Sequence, residues 1–370
     1  MAKFGRNEKC WCGSGRKYKK CHLGRDKQEP LGKGEAQNAL KLFTSSSKCS
    51  VPVNKQNECA NRIVKAHTLS KSNSLKEIAF EGHVLGLKHG IGSMERNDGQ
   101  PTLERVGINQ ASTFTGFCSF HDKELFSCVE DEAFQLTSKQ CTMIAYRPLM
   151  REFYVKEAAL KFAQQSRMFD KGWGLREQFA WAKICHENVE GAELSLKDLE
   201  FIKNRVEGSI ENGGYDALRH FVIRLNQPPK VMACGIHAPI SDIFGNVLQD
   251  ITNNHLIRPA YLMANLLALD GNGYFIFSWL PEDDAIILGF IGAIQECDAS
   301  EVGDRLVNYV FTFFENIFAS EEWWGGLGEE KAYVHKLMMQ GINMHLYDLN
   351  LIEKDKNKYG AIDVKDFLEI

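Results

Sequence analysis

The chain has 370 residues, 44% of them hydrophobic, with a net charge of -4 at neutral pH. That length accommodates two or three domains with their own cores, and the composition excludes a disordered or fibrous chain. No basic head with an apolar run and a small-residue cleavage site opens it. The longest apolar run, "AIILGFIGAI" at 285–294, is about half of the ~20 residues that span a bilayer, so neither export nor a membrane span is expected. Eleven cysteines, an odd number without a secretory signal, argue against a disulfide framework and for reduced thiols, some of them metal ligands, in the cytoplasm.

Residues 1–25 hold eight Lys and Arg against one acid, Glu8, a charge of +7 that leaves -11 on the rest. A basic end on an acidic body localises any contact with nucleic acid, ribosome or an acidic protein to that end. Within it, Cys10, Cys12, Cys21 and His22 read C-x-C-x8-C-H, with Gly13, Ser14 and Gly15 after the first pair. Four such ligands suit one tetrahedral zinc, and the glycines let so short a loop fold back around it. A segment this small has no core, so the metal must supply its folding free energy, of order 10 to 16 kcal/mol in zinc-finger peptides. With four protein ligands no position remains for water, and the site is expected to be structural. Arg16, Lys17, Lys19 and Lys20, with Trp11 and Tyr18, offer charge and stacking surfaces for RNA or an acidic protein face. The stretch "GRNEKCWCGSGRKYKKCH" resembles the SEC-C motif over about residues 5–24, with Trp11 where that family usually has proline. The resemblance implies zinc binding and docking to a chaperone, ribosome or phospholipid partner.

Residues 25–48 are polar, hold Pro30, Gly32 and Gly34, and show only a short helical pattern around Ala39 to Phe43; they read as a linker. From 49 to 126 the chain is rich in Cys and His. Cys49, Cys59, Cys118 and His121 form a second candidate Cys3His zinc site, and C-x-x-H just before "DKELF" puts its second pair on the first turn of a helix. Two ligand pairs from distant segments suggest a treble-clef-like zinc domain, with "EGHVLGLKHG" at 81–90 as its hairpin.

"IVKAHTLSK" and "TFTGFCSFHDKELF" make residues 49–126 resemble the HNH, or His-Me finger, nucleases. That resemblance implies His67 as the general base and Asp122 on a Mg2+ or Mn2+ ion. Thr113 stands where the family has asparagine, Asp122 where it has a metal-binding histidine, and Ala66 where an acid is common. His67 is therefore read as catalytic, as a satisfied polar residue, or as a zinc ligand in place of Cys49.

Residues 127–370 read as an α+β domain of unknown role. Helical periodicity runs through 151–166, "LREQFAWAKICHENV" and "LSLKDLEFIKNRV", the last starting at Ser195 with Asp198 three residues on. "HFVIRL", "KVMACGI", "YLMANLLAL", "YFIFSWL" and "AIILGFIGAI", separated by turn signals such as "DGNG" and "PEDD", predict an antiparallel sheet. Helices are expected over 302–318 and 329–346, with the aromatics of "WWGGLGEE" folded onto the sheet. His237, Asp242, Asp250 and His255 lie close in sequence, with turn or capping roles as the default. The expected architecture is thus α+β: a zinc clip (1–24), a linker (25–48), a treble-clef-like zinc domain (49–126) and a C-terminal domain with helices and an antiparallel sheet (127–370). Two functions follow. One is a zinc-binding protein whose basic clip docks to a nucleic-acid-bearing or acidic partner; the other is a metal-dependent nuclease using His67.

Overall fold

A computed structural model describes residues 4–32, 34, 35, 38, 47–60, 62–87, 93, 96–251, 257–342 and 358–370. The helical pattern expected near Ala39 to Phe43, and His255, lie outside the described residues. The chain divides into two compact units interleaved in sequence, Met1–Ser47 with Glu152–Phe201 and Lys48–Arg151 with Ile202–Ile370.

In the first unit, Gly13 (φ 73°) and Gly15 (φ 70°) reverse the chain in the left-handed region that only glycine enters freely. The reversal brings Lys9 opposite Lys17, and Cys10 N–H donates to Arg16 O at 2.7 Å. Two 3-10 turns follow, Tyr18–Lys20 and Arg25–Lys27. The other part of this unit is the far end of a helical hairpin whose arms are Ser138–Ser166 (α2) and Leu175–Glu211 (α3). Trp181 closes its tip by donating from Nε1 to Ser166 O at 2.8 Å and stacking on Phe169.

The second unit holds two sheets. Ile63–His67 (β1) pairs antiparallel with Thr113–Cys118 (β4), and Ser119–Glu130 (α1) leaves directly from the end of β4. The larger sheet is antiparallel throughout, in the order β10-β5-β8-β7-β6-β9-β2-β3. Its strands are His83–Leu87 (β2), Leu103–Gly107 (β3), Arg219–Leu225 (β5), Val231–His237 (β6), Leu262–Leu269 (β7), Asn272–Trp279 (β8), Ile317–Ala319 (β9) and Val364–Glu369 (β10). Every residue of β7 is buried, as a central strand covered on both faces requires. Asp270 (φ 50°) and Gly271 (φ 74°) make the two-residue turn from β7 to β8. Positive φ at both positions is the type I′ geometry whose twist suits a hairpin. Asp284–Glu296 (α4), Val302–Phe313 (α5), Glu321–Gly326 (α6) and Glu330–Ile342 (α7) also belong to this unit.

The α+β class and the strands β5 to β8 agree with the sequence reading. Four elements differ. "AIILGFIGAI" is helix α4: Pro281 opens a 3-10 turn ahead of it, and Ile287, Phe290, Ile291 and Ile294 bury one face while Leu288 is exposed. A short apolar run has no periodicity to separate a buried strand from a buried helix, and here the acidic, proline-led start decides. The two helices expected around Ser195 are one continuous helix, α3, with Ser195 inside it. Residues 317–319 leave the expected helix for β9. Residues 83–87, expected in a hairpin of the zinc domain, form an inner strand of the large sheet between β3 and β9; 88–90 lie outside the described residues. Trp324 is buried in the core of the large sheet, and Asp242 accepts the Phe244 and Asn246 N–H groups in a turn. Among the described residues no helix is long and apolar enough to cross a membrane.

Candidate metal centres

Cys10, Cys12, Cys21 and His22 meet with all four donor atoms within 4.8 Å of one another. His22 Nδ1 lies 3.2 Å from both the Cys10 and Cys21 sulfurs, and the Cys12 and Cys21 sulfurs are 3.5 Å apart. A tetrahedron with Zn–S near 2.3 Å and Zn–N near 2.0 Å has edges of roughly 3.5 to 3.8 Å, so the donor set fits one zinc ion with little adjustment. The hydrogen bond between Cys12 and Cys21 pulls the Cys12 thiol down, toward the thiolate form a metal needs, and pushes Cys21 up in return.

His22 turns its other nitrogen away from the cluster. Nε2 lies 2.8 Å from Asp170 Oδ2, and Asp170 Oδ1 is 2.9 Å from Arg25 Nε. Burial disfavours the charged imidazole, but Asp170 and then Cys12 outweigh it and lift its pKa to about 9. Asp170 and Arg25 are residues that sequence reasoning missed. Arg25 was counted only within a basic run, and no spacing ties residue 170 to residue 22.

Cys49, Cys59, Cys118 and His121 form a second cluster of the same composition. Segment 48–50 runs beside β4, with Ser50 N–H on Gly116 O at 2.8 Å, and this delivers Cys49. Cys59 follows the 3-10 turn Val53–Glu58. Cys118 caps α1, and His121 lies in that helix's first turn. His121 Nδ1 is 3.2 Å from Cys118, 3.5 Å from Cys59 and 3.6 Å from Cys49, again the dimensions of a tetrahedral zinc site. Burial pushes the Cys49 thiol up to about 12. Against its own burial, backbone N–H groups at the start of α1, that of His121 foremost, hold Cys118 below its usual value. The opposite nitrogen of His121, Nε2, is buried with no hydrogen-bond partner among the described residues. Around this cluster is a core of its own, in which Phe117 packs edge-on to Phe126 at 5.3 Å.

His67 is not part of either cluster. It ends β1 opposite Thr113, with Nε2 3.0 Å from Ile108 O. Burial lowers its pKa, so the ring is neutral at physiological pH, and the Ile108 carbonyl fixes the proton on the nitrogen that faces it. Asp122 on α1 and Glu130 at its end both face Arg147 of α2, at 3.8 and 2.7 Å. The Arg147 guanidinium lies 3.9 Å over the Phe126 ring. Burial raises the Asp122 pKa while Arg147 pulls it down. His83 hydrogen-bonds Glu81 O at 2.8 Å, on a different sheet from His67.

No curated protein and no solved structure matches this chain. One family model does: residues 6–24, the segment that carries all four donors of the first cluster, are a SEC-C motif.

Proposed function

We propose that this is a zinc-stabilised nucleic-acid-binding protein, with a closed Cys3His site at each of the two clusters and the SEC-C clip as its docking element. The observation that carries the reading is a set of six cations within residues 6–20. Arg6, Lys9, Arg16, Lys17, Lys19 and Lys20 are all exposed, and none has an ion pair among the described residues. The aromatic residues that the sequence offered for base stacking are engaged elsewhere. Trp11 stacks on Phe179, and Tyr18 packs near Phe4. Charge without a free stacking platform favours contact with phosphates, which is tolerant of sequence and steeply salt-dependent.

The test is binding of a labelled RNA and DNA across a salt series. Neutralising about four phosphates gives a slope of log K against log salt of roughly -3 to -4, and Lys17→Glu with Lys19→Glu and Lys20→Glu should remove most of it. Unchanged binding in that triple variant would place the contact elsewhere, and competition by an acidic polypeptide alone would favour a protein partner.

A second reading, a metal-dependent nuclease, is favoured by the surroundings of His67. A neutral imidazole oriented by a carbonyl has its second nitrogen available as a base, and Asp122 is the residue that would hold Mg2+ or Mn2+. The measurement is cleavage of plasmid and RNA with either ion, comparing the wild-type chain with His67→Ala. Equal cutting by the two, or none, removes this reading.

A further inference from the structure

The histidine of the SEC-C clip is held by a carboxylate 148 residues away in sequence. We infer that Asp170, backed by Arg25, is an outer part of the clip's metal site, so that zinc and the tip of the α2–α3 hairpin form one cooperative unit. This rests on the zinc reading of the first cluster.

Three buried groups carry it: His22 at 3%, Arg25 at 1% and Asp170 at 0% exposure. A carboxylate withdrawn so completely from water needs charged or donor partners. Here Oδ2 lies 2.8 Å from His22 Nε2, and Oδ1 lies 2.9 Å from Arg25 Nε as an ion pair without hydrogen-bond alignment. With Nδ1 facing the Cys10 and Cys21 sulfurs, the only proton on a metal-bound imidazole is the one on Nε2; Arg25 Nη1 also lies 3.2 Å from that nitrogen but has no lone pair to accept with, so the proton goes to Asp170. Such a bond fixes the tautomer and ring orientation and makes the imidazole a better ligand.

The hairpin tip is shaped for this contact beyond the carboxylate. Gly172 N–H donates to Arg25 O at 3.0 Å, and Arg25 Nη2 reaches Met168 Sδ at 2.9 Å. Gly172 has φ +75°, and a Cβ there would lie 2.7 Å from Gln28 O, so both the turn and the close approach require glycine. Trp11 stacks on Phe179 with ring centroids 3.9 Å apart and planes 24° apart. Ala182 is buried in the same small cluster as Cys10 and Cys12. A clip too small for a core of its own thus borrows one from the hairpin, and the hairpin closes around the group that positions a metal ligand.

The experiment uses the full chain. Zinc affinity is measured by competition with a chromophoric chelator, and the clip's share is the one that Cys12→Ser removes. Asp170→Asn should weaken that share by about 10- to 100-fold and shift the visible absorption of the Co2+-substituted clip. Phe179→Ala, which removes the ring that Trp11 stacks on without touching a ligand, should raise hydrogen exchange in the clip and across residues 165–182 together, and weaken the clip's zinc affinity by less than Asp170→Asn does. Should Asp170→Asn fail to fold, Arg25→Gln carries the same expectation at about tenfold, because it removes the support of the carboxylate. Affinity within threefold of wild type and an unchanged Co2+ spectrum would overturn the inference while leaving the zinc site in place. If Cys12→Ser removes no zinc, the zinc reading falls and takes the inference with it.

Discussion

His22 sets its second ring nitrogen on Asp170 at 2.8 Å, whereas the corresponding nitrogen of His121 is buried with no hydrogen-bond partner among the described residues. The donor sets are the same, three cysteines and a histidine through Nδ1, but their settings differ. The SEC-C cluster stands on two 3-10 turns and a glycine reversal. The second stands at the junction of β4 and α1, beside Phe117 and Phe126, both fully buried. Where there is no core, the metal's ligand is tied down by a charged partner in a distant helix–helix turn. Where a core exists, packing holds the ring of the ligand. On the zinc reading, metal-binding free energy would be folding free energy in the first case and a supplement to it in the second.

Removing the metal is the strongest way to break that comparison. Chelation of the whole chain should abolish exchange protection over residues 5–28, since of order 10 kcal/mol of local stability goes with the ion. Protection of β5 to β8 should persist. Cys12→Ser should reproduce the first effect, and Cys59→Ser should leave the clip untouched. Equal loss of protection in both regions on chelation would show that the second cluster also depends on its metal to fold.

Acid acts on the second unit through histidines that bind no metal. Burial pushes His220 down to about 4 and His237 down to about 3, from 6.5. Both are held neutral, His220 on Ser278 Oγ at 2.8 Å and His237 on Tyr309 at 3.1 Å. Below pH 6.5 the unfolded chain binds protons that the folded chain refuses, so stability falls as pH falls, from about 6.5 down toward 4. The loss should be on the order of 2 to 3 kcal/mol for each histidine at the acid end. Thermal melts in that window, wild type against His220→Gln, measure it; a melting temperature flat in pH, or an unaltered slope in the variant, contradicts the assignment.

The smallest effect sharpens the comparison at one atom. Gly172→Ala adds strain of about 1 to 2 kcal/mol at a left-handed position and a clash with Gln28 O. It should raise exchange in the clip and in the tip together, with no change in β1, β4 or α1. A change confined to the tip would show that the two are not coupled.

Both clusters were legible in the sequence because ligand chemistry leaves spacing: C-x-C with C-H, and C-x-x-H at a helix start. The long turn-rich strands were legible as well, since β7 and β8 are joined by "DG", which names its own turn type. Helix α4 was not, because "AIILGFIGAI" is apolar at nearly every position and a period cannot be read from it. The continuity of α3 was hidden by Ser195, which is a good cap in isolation but is overridden by the buried face of Leu199, Ile202 and Val206 on the same helix. Asp170, Arg147 and Glu130 left no local trace, since each meets its partner only after the fold has formed.

Trp11 stands between Cys10 and Cys12 of the clip. Its indole lies over the ring of His22 at 4.4 Å on one side and against Phe179 on the other. An indole fluoresces, and its emission depends on what the ring touches. Trp11 thus gives this clip an internal optical reporter, whose emission should change if an ion leaves the cluster.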